Sequence, residues 1–541
     1  MPESLIARTA QEIFGWERLR DGQEDSVSAL LDRRDVLAVL PTGAGKSAIY
    51  QLAGTLLEGV TIVVSPLIAL QADQLDQLSE HAAAPRAVAI NSTLGERATD
   101  EAWESLQDGA ARFVFLAPEQ FAKDDVLDRL AGLGIALFVV DEAHCVASWG
   151  HDFRPDYLRL GEVRRRIGSP TAVALTATGA EPERREIIER LALDDPLLVV
   201  RGVDRPNIDL QVTRWGSDEE KRRGVLELVP ALPRPGLLYT ATRREAEEYG
   251  DELSARGMRA EVYHAGLSAR ERTRVHQAFL DGATDVVVAT NAFGMGIDKP
   301  DVRFVVHASV PESVDSYYQE IGRAGRDGDA ASAVLFYRSE DLGLRKYFAA
   351  RGTDAAKLSA AYSAIAGQQR PVRSKDLAAE LGISTRSATG LLNQLIEGGA
   401  ARLTRTGARP IGSMAPQDAA AAAEEAAERR QRIEESRVDV MRRYAETRDC
   451  RRRVLLGYFG ENLPGACGSC DTCRAGTADD DAVSESSAPF PAGAAVDHVE
   501  WGRGSVVDVD EDRLTVFFGD QGYKVLALDL VQENGLLRLA G

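Results

Sequence analysis

Ten short apolar runs, separated by longer amphipathic stretches, occupy residues 36–336 of this chain. The first series is Val36–Leu40, Thr61–Val64, Phe113–Ala117, Ile135–Val140 and Ala172–Leu175. The second is Gly236–Tyr239, Ala260–Tyr263, Asp285–Ala289, Arg303–His307 and Ala333–Phe336. Continuous apolar strands alternating with helices belong to parallel sheets covered on both faces. The series restarts near 201–206, so the pattern predicts two α/β lobes in tandem. At 541 residues the chain is too long for one core.

The first strand runs into Pro41-Thr42-Gly43-Ala44-Gly45-Lys46-Ser47, and a helical pattern follows. Glycines at 43 and 45 let backbone N–H groups close around phosphate oxygens. In such a loop the lysine reaches the β- and γ-phosphates and the serine hydroxyl ligates Mg²⁺. The full phosphate-loop pattern begins with a glycine where this chain has Leu40. The strand Ile135–Val140 ends on Asp141-Glu142-Ala143-His144. Asp141 is expected to hold the Mg²⁺ and Glu142 to orient the attacking water, because phosphoryl transfer depends on positioning and charge neutralisation. Taken alone, an acidic pair merely ends a strand; the preceding Lys46-Ser47 changes that reading. The second lobe supplies Arg323 and Arg326, three apart on one face, able to reach across to a γ-phosphate. The bland alternative is a surface pair in salt bridges.

Trp149, His151, Phe153 and Arg154 follow the acidic pair on a loop. Aromatic rings stack on any base, and arginine adds a cation–π or phosphate contact. The competing reading has Trp149 and Phe153 packing the lobe.

Four of the five cysteines cluster as Cys450-x₁₆-Cys467-x₂-Cys470-x₂-Cys473. Four thiolates suit a closed, structural tetrahedral Zn²⁺ site. The tight triplet also matches iron–sulfur spacing, with zinc favoured by ligand set and context. Cys145 reads as a small buried residue.

Residues 374–397 have helix-turn-helix spacing, with Gly382 at the turn and Ser384 or Thr385 as cap. Residues 369–410 carry seven Lys/Arg against three Asp/Glu, and residues 429–453 ten Arg against five acidic residues. These local basic tracts sit within a chain of net charge −20, which argues against a protein that coats nucleic acid with its whole surface. Residues 476–494 read as a solvated linker. Val496–Val499, Ser505–Val509, Leu514–Phe518 and Tyr523–Ala527 predict a small β-barrel whose core is too small to stand alone, so that it rests on the rest of the protein. No apolar run approaches the ~18 residues that span a membrane. The N-terminus lacks a signal-peptide pattern, and a cytosolic location with no membrane partner is expected.

As an ordered set, Pro41–Ser47, Ser65–Leu70, Asp141–His144, Leu175–Thr178, Tyr263–Leu267, Ala289–Pro300 and Gln319–Arg326 resemble the motifs of superfamily 2 helicases. The 149–157 loop, the Phe14–Gln23 entry and the cysteines with Arg451–Gly460 are similar to the RecQ family. The resemblance implies two RecA-like lobes, 1–200 for ATP binding and 201–350, followed by a winged-helix candidate at 355–412, a zinc module at 418–475 and a barrel at 495–541. It implies ATP, Mg²⁺ and Zn²⁺ as cofactors. It implies that Gln23 reads adenine, that Asp298 lies near the ribose, that Trp149, Phe153 and Arg154 couple single-stranded DNA to hydrolysis, and that travel is 3′ to 5′ on tailed or forked DNA. Two departures stand out. The helix-turn-helix precedes the cysteines instead of following them, and the barrel resembles the Tudor-like tail of UvrD-type helicases, which implies RNA polymerase or another protein as a partner; an SH3-like barrel with no partner beyond its own chain is the alternative. A DNA-bound adapter whose ATPase does not separate strands is the alternative, and an RNA helicase a third reading.

Overall fold

The computed structural model describes residues 2–540 apart from 42, 67, 92–93, 148–154, 295–298, 344–353, 405–406, 462, 479–488, 492 and 510–512. The segment expected as a linker therefore lies largely outside the described residues.

Lobe 1 contains β1 (Val36–Val39), β2 (Val60–Val64), β3 (Arg86–Ile90), β4 (Ala111–Leu116), β5 (Ile135–Val140), β6 (Thr171–Thr176) and β7 (Leu197–Val200). They form one sheet in the order β3-β4-β2-β5-β6-β1-β7, and every pairing is parallel. Alternation of side chains along each strand divides the apolar residues between two cores. Leu37, Val39, Ile62 and Val64 face one helical layer; Val36, Ala38, Leu40 and Val63 face the other.

Lobe 2 repeats the plan with β8 (Ile208–Arg214), β9 (Gly236–Tyr239), β10 (Ala260–Tyr263), β11 (Val286–Ala289), β12 (Phe304–His307) and β13 (Ala331–Tyr337), in the order β10-β11-β9-β12-β13-β8. It too is parallel throughout. Three strands escaped the apolar-run reading. Both β3, with burial alternating towards its end, and β8, alternating along its length, are edge strands that lack a continuous apolar run. Strand β7 is four residues on the opposite edge, half covered.

Helices Ala355–Ala366, Ser374–Leu381 and Thr385–Glu397, followed by the hairpin β14 (Ala401–Thr404) and β15 (Gly407–Pro410), make a winged helix-turn-helix. Gly382 adopts φ 65 at the turn, and the cap is Ser384, whose Oγ accepts from Ser387 N at 3.1 Å. Helix Pro416–Glu446 runs unbroken for 31 residues. Its first half packs Ala419, Ala420 and Ala423 into the winged-helix core; its second half packs Ile433, Val438, Met441 and Tyr444 into the core of lobe 2.

The C-terminal barrel holds β16 (Ala495–His498), β17 (Gly502–Val509), β18 (Arg513–Phe518), β19 (Gly522–Ala527) and β20 (Leu537–Leu539), antiparallel in the order β19-β18-β17-β16-β20. Its inner core is Val496, Val506, Leu514, Val516, Phe518, Val531 and Leu537 with Phe490. As its size suggests, it leans on the rest of the chain.

Candidate nucleotide site and cysteine centre

Three strands of lobe 1 deliver the site from their C-terminal ends, where parallel α/β sheets place ligands. Strand β1 leads into the phosphate loop, β5 into Asp141, and β6, which lies between them, into Thr176–Thr178. Gly43 has φ +85 and Gly45 φ +75, so both need glycine's left-handed freedom. At Gly45 the space is also closed: a Cβ would fall 2.7 Å from Gln23 Nε2. Gln23 donates to Ala44 O at 3.0 Å and Gly45 O at 2.9 Å, while Arg20 N donates to its Oε1 at 2.8 Å. The Arg20 guanidinium donates to Gly43 O. The Phe14–Gln23 entry therefore braces the phosphate loop from outside. Thr42 lies outside the described residues.

Lys46 is half-buried, with Nζ donating to Leu40 O at 3.3 Å. Burial lowers its pKa against the opposing pull of Glu142 and Asp141; the nearby Arg326 lowers it further. Asp141 Oδ2 accepts from Gln74 Nε2 at 3.2 Å and Oδ1 from Glu142 N at 3.0 Å. Burial, then the charge of Glu142, push Asp141 up to about 6, with Lys46 pulling the other way. Glu142 sits at φ 50, a left-handed conformation rare outside glycine and concentrated at functional sites. Its Oε2 lies 3.3 Å from His144 Nδ1, which in turn is 3.2 Å from Thr176 Oγ1. Thr176 Oγ1 donates to Thr178 O at 2.7 Å.

Lobe 2 closes the cleft. Arg323 and Arg326 line the same cavity of about 900 Å³ as Gln23, Lys46, Ser47, Asp141 and Glu142. A Cβ on Gly43 would stand 3.5 Å from Arg326 Cδ, so this arginine crosses to the phosphate loop. The segment that carries the pair is pinned from behind. Arg205 donates to Gly322 O at 3.1 Å, Ala324 O at 2.7 Å and Gly325 O at 2.9 Å, and Asn207 Nδ2 to Gly325 O at 2.8 Å.

Sequence reading missed Arg205, Asn207, Gln74 and Tyr157. Tyr157 is fully buried and its hydroxyl donates to Asp141 O at 3.2 Å. The signals for them are the Arg-Pro-Asn run where the strand series restarts and the place of Tyr157 at the end of the 149–157 stretch. Trp149, His151, Phe153, Arg154 and Asp298 lie outside the described residues. Tyr157, at the end of the 149–157 stretch, anchors the chain to the backbone of Asp141.

The four clustered cysteines converge, with all ligand atoms within 4.8 Å of one another. Cys467 and Cys473 sulfurs lie 3.8 Å apart and those of Cys470 and Cys473 3.3 Å. A tetrahedral ion with Zn–S near 2.3 Å sets its sulfurs about 3.8 Å apart, so the four fit one ion. An iron–sulfur cluster, with its thiolates on separate irons, would need them wider. Cys145 is fully buried inside lobe 1, in keeping with a packing role.

Comparison with known proteins agrees with this geometry. The chain matches the DEAD/DEAH box helicase family over residues 20–186, the helicase conserved C-terminal domain over 221–328 and the RecQ zinc-binding family over 410–474. It is 40% identical over 342 residues to the probable ATP-dependent DNA helicase RecS of Bacillus subtilis, covering 63% of this chain and 68% of that protein. It is 32% identical to the ATP-dependent DNA helicase RecQ of the same organism, covering 87% of this chain and 66% of that one. The chain thus spans about two thirds of these relatives' own lengths. Among solved structures, Mycobacterium smegmatis helicase Lhr bound to ssDNA and AMP-PNP superposes with TM-score 0.52 at 19% identity, covering 79% of this chain and 62% of that one, a likeness of fold. Phosphate loop, acidic box, facing arginines and cysteine centre occur together in one match set, and the chain belongs to the RecQ family of superfamily 2 DNA helicases.

Proposed function

We propose that the chain hydrolyses ATP with Mg²⁺ and uses it to travel 3′ to 5′ on single-stranded DNA, unwinding tailed or forked duplexes during repair or recombination in the cytosol. The observation that carries this reading is the meeting of Arg323 and Arg326 from lobe 2 with Lys46, Asp141 and Glu142 from lobe 1 in one cleft. A motor needs a site whose completeness depends on how its lobes stand; this one does.

Lys46 leaves its carbonyl partner Leu40 to neutralise the β- and γ-phosphates, with backbone N–H groups of Thr42–Ser47 around them. Ser47 and Asp141 would hold Mg²⁺, which would supply positive charge beside the phosphate oxygens. Glu142, steered by His144, orients the water. Arg326 and Arg323 stabilise charge on the transferring phosphoryl group. Gln23 recognises adenine by exchanging its loop carbonyls for the base edge, and Asp298 lies near the ribose. The loop with Trp149, His151, Phe153 and Arg154 reports bound DNA through Tyr157 to Asp141. The helix Thr385–Glu397 leaves Arg386, Thr389 and Asn393 exposed, and this face meets the duplex ahead of the motor. On the barrel, exposed Val499, Leu530 and Leu539 are where RNA polymerase would dock. Zn²⁺ at Cys450, Cys467, Cys470 and Cys473 is structural. Among the described residues no helix is long and apolar enough to cross a membrane.

The test compares displacement from 3′-tailed, 5′-tailed and forked DNA. Unwinding of the 3′-tailed and forked substrates alone is expected. DNA-stimulated ATPase with no displacement on any substrate would overturn the reading in favour of an adapter.

A further inference from the structure

The barrel does not end at solvent on every side. Val507, Phe517 and Tyr523 are buried in the cluster built by lobe 2 and the zinc module, apart from the barrel's own core. Tyr523 N donates to Ser436 Oγ at 2.9 Å, and Arg432 Nε to Asp520 O at 3.2 Å. The Tyr523 and Tyr458 hydroxyls meet at 3.3 Å. Gly522 makes the approach possible: at φ +70, a Cβ there would fall 2.4 Å from Ser436 Oγ and 3.2 Å from Ile433 Cα.

Beneath this contact lies Arg437, only 5% exposed. Its guanidinium sits in the field of two carboxylates, Asp315 and Glu183, each 1% exposed, and of the Tyr523 and Tyr458 hydroxyls. Tyr458 also donates to Asp315 Oδ2 at 2.6 Å. These groups come from four parts of the chain. Glu183 stands on the lobe 1 helix Glu181–Arg190, just after Thr176–Thr178. Asp315 stands on the lobe 2 helix Val314–Ile321, which leads directly into Arg323. Arg437 and Tyr458 flank the cysteine centre, and Tyr523 belongs to the barrel. A buried cation is tolerated only where opposing charge surrounds it. The zinc module thus touches lobe 2 through Tyr458 and Asp315. Beside them Arg184 Nη1 donates both to Gly179 O at 2.9 Å and to Phe459 O of the zinc module at 3.2 Å.

We propose that the C-terminal barrel is a brace within the motor: docked on the zinc module, which Tyr458 ties to lobe 2 and Arg184 to lobe 1, it holds lobe 1 against lobe 2 and favours the closed nucleotide cleft. This rests on the nucleotide reading above and adds to it a role for the barrel toward its own chain.

The test uses the full chain carrying Gly522→Val or Ser436→Leu, which wedge the contact from opposite sides and touch neither the cleft nor the barrel's inner core. Hydrogen exchange at 514–518 and 522–527 reads docking. Binding of a fluorescent non-hydrolysable ATP analogue with Mg²⁺ reads cleft closure. Steady-state hydrolysis separates KM from kcat. Faster exchange is expected together with at least fivefold weaker analogue binding, a matching rise in KM, and kcat within twofold, because saturating nucleotide closes the cleft by itself. Faster exchange with unchanged affinity would overturn the proposal. So would unchanged exchange in both variants, since the contact would then not hold the barrel. The unaltered protein tests the nucleotide reading separately: if it neither binds the analogue nor hydrolyses ATP, that reading fails whatever the barrel does.

Discussion

Arg205→Met leaves Arg323 and Arg326 chemically intact and removes the fork that holds their segment. The side chain donates three hydrogen bonds, to Gly322 O, Ala324 O and Gly325 O. Bonds from a charged donor contribute about 1.5–3 kcal/mol each. The full sum is not lost, because Asn207 still holds Gly325 and water rehydrates the partly buried carbonyls. A net cost of roughly 1.5–3 kcal/mol to the arrangement that aims both arginines at the phosphate loop is therefore expected, which lowers its population about 10- to 100-fold. Since Lys46 and its loop are untouched, nucleotide still binds, and the deficit falls on kcat with KM nearly unchanged. Arg205→Lys, a point charge without the planar fork, retains part of the activity. DNA-stimulated ATPase at varied ATP reads both parameters, with thermal unfolding to show that the lobe is intact. A kcat within twofold of the parent, or a loss confined to KM, would refute the reasoning.

Asp141, raised to about 6 from a usual 3.8, gives a pH dependence of definite sign. Its burial favours the fold at low pH and opposes it as pH rises from about 4 through about 6, whereas Mg²⁺ needs the ionised form. Magnesium affinity, followed by titration in the absence of nucleotide, should therefore weaken as pH falls below about 6; a flat profile between pH 5 and 7.5 would sink this. For the cysteine centre, one zinc per chain is expected on release with a thiol-modifying reagent. Cys470→Ser should lose the metal and lower the unfolding temperature of lobe 2 as well, because Cys450 and Cys470 are buried in the lobe 2 core. More than one iron per chain together with acid-labile sulfide would refute the single-ion geometry.

The parts legible in the sequence were those governed by local rules. Val60–Val64 and Ile135–Val140 announce themselves because both faces of a central parallel strand are covered. The phosphate loop is legible because only glycine fits its backbone at 43 and 45. The turn at Gly382 and the cap at Ser384 follow for the same local reasons. What stayed hidden depends on partners distant in sequence. Gln74 shows its use only when helix Ile68–Ser79 lies beside Asp141. Arg205 shows its use only when its guanidinium meets carbonyls more than a hundred residues later. Similarly, Val507, Phe517 and Tyr523 look like ordinary strand residues until one asks which core they enter.

The helix Pro416–Glu446 adds a mechanical consequence. At 1.5 Å per residue its 31 residues form a rod of about 46 Å. One end is sunk in the winged helix and the other beside Arg437 and the cysteine centre. A rod anchored at both ends acts as a lever arm: a tilt of about 5° at one end displaces the other by about 4 Å over that length. A load on the winged helix would therefore arrive at the lobe junction as a movement comparable to a side-chain contact, without any change of fold along the way.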